Sequence, residues 1–182
     1  KKEKKLEVFP YVEFLVGDYH EELRYRNIMV LYNRTWFDKS HKAIFCRKTA
    51  SWEGMNIQPF ETQAFFASSL PLSGRCTHKD TFLGRYNTEE SPVAVTEGSF
   101  KNHDFCSGED SIGSFKHKIT LKPGQTKEFV VVLGETKGVP SITKHLNKYL
   151  NVKGAKKALE QTKALWRDRI VDNIIVKTPD KD

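Results

Sequence analysis

The segment that most limits what this chain can become is 114–134, SFKHKITLKPGQTKEFVVVLG. Phe115, His117, Ile119 and Leu121 alternate with Lys116, Lys118 and Thr120, the period of a strand with one dry face and one wet face. Pro123 and Gly124 suit the central pair of a type II turn, because proline fixes φ and glycine accepts a positive one. Residues 126–133 then read as a returning strand, and the apolar run 129–133 predicts burial on both faces. A β-hairpin is expected here, so the chain cannot be all-helical.

Other stretches agree with a sheet-rich first part. Residues 11–16, 28–37, 41–50 and 63–70 are rich in β-branched and aromatic residues, and Gly17 and Pro71 stop the first and last of them. Residues 18–27, DYHEELRYRN, are polar and read as a helical turn or a loop. After Pro140 the period changes. Ser141 is an N-cap candidate for a short helix with Ile142, Leu146 and Leu150 on one face, and Gly154 is expected to break it. A second helix follows, with Ala158, Leu159, Thr162, Leu165, Trp166 and Arg169 or Ile170 along one side. The fold class expected is mainly β: an antiparallel β-sandwich over 1–136, then two helices of a linker over 137–182.

With 182 residues and 38% hydrophobic composition, the chain suits one globular domain with a small appendage. Its +7 charge raises the question of nucleic acid, and the distribution answers it. Residues 137–182 carry eleven Lys and Arg against five acids, while 6–136 carry fifteen against seventeen. The excess sits at the ends and forms no basic stripe across the core, so no nucleic-acid partner is expected. A basic adaptor docking through 137–182 is the rival that a salt-dependent gel shift would test. No apolar run reaches membrane-spanning length, and no membrane partner is expected. Cys46, Cys76 and Cys106 are odd in number and lack metal spacing, which argues for a reducing, cytoplasmic setting.

Chemistry-bearing motifs are sparse. There is no GxSxG elbow, no GxxxxGK[ST] phosphate loop and no HExxH pair. His103, Asp104 and Cys106 lie close in sequence without a partner at ligand spacing, and a polar loop between strands is the simpler reading. His117 falls on the dry face of its strand, the place of a satisfied core histidine. Glu89-Glu90 and Glu109-Asp110 read as loop solvation, since neighbouring residues do not share a face. Glu21-Glu22 differs, because Arg24, Tyr25, Arg26 and Asn27 follow at once. Forked donors, an amide and a flat ring are what a site for sugar hydroxyls or phosphate needs. No cofactor or metal is expected.

These segments resemble a known family when taken in order. YVEF, TFLGRYNTEESPVAVTEG, DSIGSFKHKITLKPGQTKEFVVVLG, the Trp166 helix and VKTPD follow the order found in glycoside hydrolase family 94. Its members are inverting disaccharide and oligosaccharide phosphorylases, among them the cellobiose, cellodextrin, chitobiose and 1,2-β-oligoglucan enzymes. The resemblance covers nearly the whole chain, most firmly 63–136 and 155–180.

The resemblance implies an N-terminal β-supersandwich, a helical linker, an (α/α)6 catalytic barrel and a small C-terminal sheet. This chain matches the later supersandwich and the linker, with the barrel expected to begin near VKTPD. The chain is thus expected to be a non-catalytic piece of a hexosyltransferase-type phosphorylase that acts on β-linked gluco-oligosaccharides with inorganic phosphate as co-substrate. The general acid and phosphate ligands belong to the barrel. Family members usually form homodimers, and a segment after the VEF strand reaches the partner's active site with a pattern close to DD..N.QRN. Here that place reads Glu21-Glu22-Leu23-Arg24-Tyr25-Arg26-Asn27, two residues shorter, with the closing Arg-Asn matched. Arg26 and Asn27 are therefore the substrate-binding candidates, with Arg24 and Tyr25 as neighbours, and the alternative for them is a surface turn with a salt bridge. HKDTF departs from the commoner DRETF, His78 and Lys79 replacing an acid and an arginine. A stand-alone carbohydrate-binding module is the other functional alternative, which tight, phosphate-independent binding of cellodextrins would favour.

Overall fold

The computed structural model describes residues 2–50 and 60–173. Among the described residues helix and strand take nearly equal shares, 33% and 31%, so the fold is two antiparallel sheets with helices on them, more mixed than the sequence suggests. The last part of the expected linker, 174–182 with VKTPD included, lies outside the described residues.

The first sheet is organised around one long strand. Strand β1 (Lys4–Val8) and strand β2 (Tyr11–Glu13) are followed, much later, by β6 (Gly74–His78) and β8 (Ser111–Leu121). β1 pairs with the far half of β8, from Lys4 opposite Leu121 to Val8 opposite His117. Ser114 of β8 pairs with Tyr11 of β2 and also with Cys76 of β6, so those two strands flank it. The second sheet takes β3 (Asn33–Asp38), β4 (Ala43–Lys48), β5 (Gln63–Ser68), β7 (Phe105–Ser107) and β9 (Val131–Thr136) in the order β7-β3-β4-β5-β9.

Alternation explains why the sheets stack. Ile44 and Cys46 of β4, Phe66 of β5 and Phe115 of β8 point between them, joined by Phe14 and Val16. The Phe66 and Phe115 rings stack at 5.1 Å, 4° from parallel. Each such ring removes enough apolar surface to contribute about 1.5–3 kcal/mol. The opposite face of β4 and β5 presents Ala43, Phe45, Phe65 and Ala67, covered by Ile142 of helix α4 (Ile142–Tyr149). The outer face of the first sheet is covered by α2 (Lys79–Leu83) and α3 (Val93–Thr96), which seat Phe82, Leu83 and Ala94 on Cys76 and Ile112. The other α-helices among the described residues are α1 (Tyr19–Met29) and α5 (Val152–Trp166).

The predicted turn is present and the predicted hairpin is not. Gln125 N–H donates to the Lys122 carbonyl at 3.0 Å, and Gly124 has φ +77°. Beyond the turn the chain leaves its strand and crosses to the other sheet, where β9 pairs with β5. β1 already pairs with residues 117–121, and β5 offers Phe66 and Ala67 to Leu133 and Val132. Tertiary packing thus overrides the local closure. Val131 and Leu133 are exposed while Val132 and Thr136 turn inward, so 129–133 is not buried on both faces.

Three further expectations shift. Residues 28–32 are not strand: they finish α1 and form a 3-10 turn, with Met29 fully buried. The break between the last helices falls at Leu150-Asn151, and Gly154 lies inside the first turn of α5. A Cβ there would stand 2.0 Å from the Lys148 carbonyl, so glycine permits the close turn. Ser141 precedes α4, but its hydroxyl donates to the Gly138 carbonyl at 2.7 Å instead of capping. The predicted side of α5 exists and is open: Leu159, Leu165, Trp166 and Ile170 are all exposed.

Candidate functional site

Helix α1 follows directly from β2, so the placement of the candidate residues starts at residues 13–18. Gly17 adopts φ +122° against the Lys48 stem, where a Cβ would come within 2.9 Å. Asp18 then caps the helix, its carboxylate accepting from His20 N–H at 2.8 Å and Glu21 N–H at 3.1 Å. One turn on, Glu22 points inward to the Lys48 ammonium, and the two form a buried ion pair at the end of the inter-sheet core. Burial pushes the Lys48 ammonium below its ordinary range, and the nearby Glu21 carboxylate opposes that.

The four candidates follow Glu22 along α1. Arg24, Tyr25, Arg26 and Asn27 are all exposed. Tyr25 departs from helical geometry, with φ −131° and ψ 30°, and the helix kinks there. After the kink, Arg26 reaches back to Glu13 of β2 at 3.2 Å.

Glu13 is the hub that sequence reasoning missed. Besides Arg26, it accepts from the Tyr11 hydroxyl at 2.8 Å and pairs with Lys79 at 2.7 Å. Glu89 lies 3.8 Å from the same Lys79. Burial alone would raise the Glu13 carboxyl, but hydrogen bonds from Lys79 and Tyr11 outweigh it and hold the group below its usual range. The Tyr11 phenol moves the opposite way, raised by burial and by its bond to Glu13. A carboxylate held ionised between two cations is a poor proton shuttle and a good anchor. The one available signal was an acid two residues after Tyr11 in an otherwise apolar strand, which places both on one face.

Lys79 is delivered to this hub by the irregular HKDTF segment. His78 takes the N-cap position of α2, its Nδ1 accepting Thr81 N–H at 3.2 Å. The imidazole therefore performs the capping that an acid would perform. Its Nε2 faces Glu109, so Glu109 is paired and not merely solvated as expected. Phe82 is buried behind the turn, and Gly84 closes it with φ +91°. The loop reading holds for His103 and Asp104, where Asp104 takes a two-point bond from Arg75 at 2.6 and 2.8 Å, but not for Cys106, which is buried in β7 where that strand pairs with β3. His117 is buried, with Nδ1 on the Pro71 carbonyl at 2.9 Å and Nε2 without a partner among the described residues.

Beside the hub lies a cleft of about 280 Å³ between the ends of the two sheets. Glu13 and Leu15 form one wall, Thr62 and Leu133 the other, and Phe60 the rim. Among the described residues no group of three or more His, Cys, Asp or Glu could hold a metal ion.

A family model described as the glycosyl hydrolase 94 supersandwich domain matches residues 1–152. The chain belongs to this supersandwich family. Among curated relatives, solabiose phosphorylase from Paenibacillus borealis is 35% identical over 74 residues, covering 41% of this chain and 10% of that protein. N,N'-diacetylchitobiose phosphorylase from Vibrio proteolyticus is 30% identical over 132 residues, 69% of this chain and 15% of that protein. The supersandwich chain thus spans a small fraction of the relatives it matches. Its α4 falls within the family match and most of α5 beyond it. No helix among the described residues is long and apolar enough to cross a membrane.

Proposed function

We propose that the chain is the supersandwich and linker portion of an inverting phosphorylase that cleaves β-linked gluco-oligosaccharides with inorganic phosphate, releasing a sugar 1-phosphate. In that enzyme a carboxylic acid of the catalytic barrel protonates the glycosidic oxygen while phosphate attacks the anomeric carbon from the opposite face. The part taken by this chain is positional. Residues 1–136 form the sandwich and 137–182 the linker, and α1 extends to the substrate site of the partner subunit in a homodimer. The reducing cytoplasm is the compartment that suits three buried free thiols.

The observation that carries the reading is the mounting of Arg26. A kinked helix anchored by a buried ion pair leaves this guanidinium on the surface, oriented by Glu13 yet half open to solvent. A fork held in one direction can receive sugar hydroxyls without losing its own ordering. The open side of α5, with Leu159, Leu165 and Trp166, is the surface on which the barrel would rest.

Arg26→Ala in the full-length enzyme tests the assignment. The reading expects kcat/KM for oligosaccharide phosphorolysis to fall at least about tenfold, close to 1.4 kcal/mol, with the melting temperature unchanged. Unaltered kinetics would remove Arg26 from the site.

A further inference from the structure

One row of residues crosses the second sheet in register and is not accounted for by the supersandwich role. Ser107 of β7 stands opposite Arg34 of β3, Arg34 opposite Arg47 of β4, Arg47 opposite Gln63 of β5, and Gln63 opposite Thr136 of β9. Directly opposed residues put their side chains on the same face, so two guanidinium groups meet there. Like charges in that relation destabilise a sheet unless something neutralises them. Neither Arg34 nor Arg47 forms an ion pair with an acid among the described residues. Glu61, two residues before Gln63, is exposed and lies 3.7 Å from Lys137.

The next row on that face is aromatic: Phe105 opposite Trp36, then Phe45 and Phe65. Helix α4 covers Phe45 and Phe65, and Trp36 packs half-buried against their cluster. Phe105 is 55% exposed. The Arg47 guanidinium lies 5.9 Å from the Trp36 ring centroid, above its face. Together Arg34, Trp36, Arg47, Gln63, Phe105 and Lys137 line a cleft of about 540 Å³, within the size range of small-molecule sites.

An independent observation marks the cleft as built for a ligand. Gln63 is 8% exposed, and its Nε2 finds no hydrogen-bond acceptor among the described residues. A buried amide donor without an acceptor costs free energy and asks for an explanation. Here it sits in register with Arg47 and, one strand further on, Arg34, so an amide without an acceptor and two guanidiniums without an acid among the described residues occur at one place.

We propose that this cleft binds a phosphate-bearing sugar, with the phosphate on Arg34, Arg47 and the Gln63 amide and the sugar ring on Trp36 and Phe105. Guanidinium forks match phosphate oxygens two at a time, and the amide donor supplies a further bond. Lys137 adds charge at the rim. The apolar floor selects a ligand with a flat face over a bare anion.

The test compares the full-length protein with its Arg34→Ala/Arg47→Ala variant, titrated calorimetrically with glucose 6-phosphate, inorganic phosphate and glucuronate. The parent should hold glucose 6-phosphate at least about tenfold tighter than the variant does, while inorganic phosphate, which the proposed barrel also takes, and glucuronate should bind parent and variant alike. Without ligand, the variant should melt no lower than the parent, because removing the two opposed like charges relieves their repulsion. Trp36→Ala should narrow the gap between glucose 6-phosphate and inorganic phosphate. Equal affinity for glucose 6-phosphate in parent and variant would overturn the proposal. So would a loss of inorganic phosphate affinity in the variant as large as the loss for glucose 6-phosphate, or a larger loss for glucuronate.

Discussion

Glu22 on α1 and Lys48 at the end of β4 form an ion pair that leaves 4% of one residue and 1% of the other exposed. It is the fixed point from which α1 projects, because Gly17 packs on the same lysine stem. Removing one member of a buried pair strands the other charge, which costs about 3–5 kcal/mol. Glu22→Gln should lower the unfolding free energy by that order in urea titration. The double change Glu22→Leu/Lys48→Met should recover most of the loss. If Glu22→Gln costs nothing, the pair does not anchor the helix.

The three thiols should be inert in the folded protein. Burial pushes Cys46 up to about 12 and Cys76 up to about 11, and raises Cys106 as well. Since only the thiolate reacts, mass-mapped alkylation near pH 8 should leave these three unmodified until denaturant is added. Rapid native labelling of Cys46 would contradict the packing described for β4.

Arg75 and Asp104 give an acid-side dependence of known sign. Hydrogen bonds from Arg75 hold the Asp104 carboxyl below its ordinary value of 3.8, against a smaller opposing effect of burial. Between the two values the unfolded chain binds more protons than the folded one, so stability rises with pH there. The contribution is complete above the ordinary value and disappears as pH falls through the folded one. Solvent reaches nearly half of the Asp104 side chain, which keeps the effect small. Asp104→Asn should give a shallower loss of stability than the parent on acidification below about pH 4, in denaturant melts at matched ionic strength.

What could be read in advance follows from how far each interaction reaches. The Phe115–Leu121 alternation and the Pro123-Gly124 turn are local, and both stand in the fold. The partner of β9 is not local: Phe66 and Ala67 attract it from more than 60 residues away, and no periodicity shows which strand edges are free. At the site, the segment 24–27 was visible through its residue types. Glu13 was not, because its partners Arg26 and Lys79 come from different elements. The open side of α5 shows the same limit. A helical period reveals that a face is apolar, and only the fold reveals that nothing in the described residues covers it.

The central claim is that this supersandwich belongs to a phosphorylase acting on β-linked gluco-oligosaccharides. The most direct measurement incubates the full-length protein with cellobiose and cellotriose, with and without inorganic phosphate, and follows the anomeric configuration of the products by NMR. Phosphate-dependent formation of an α-configured glucose 1-phosphate from the β-linked donor is the predicted result. Release of free glucose at the same rate without phosphate, or no turnover of either sugar, would contradict it.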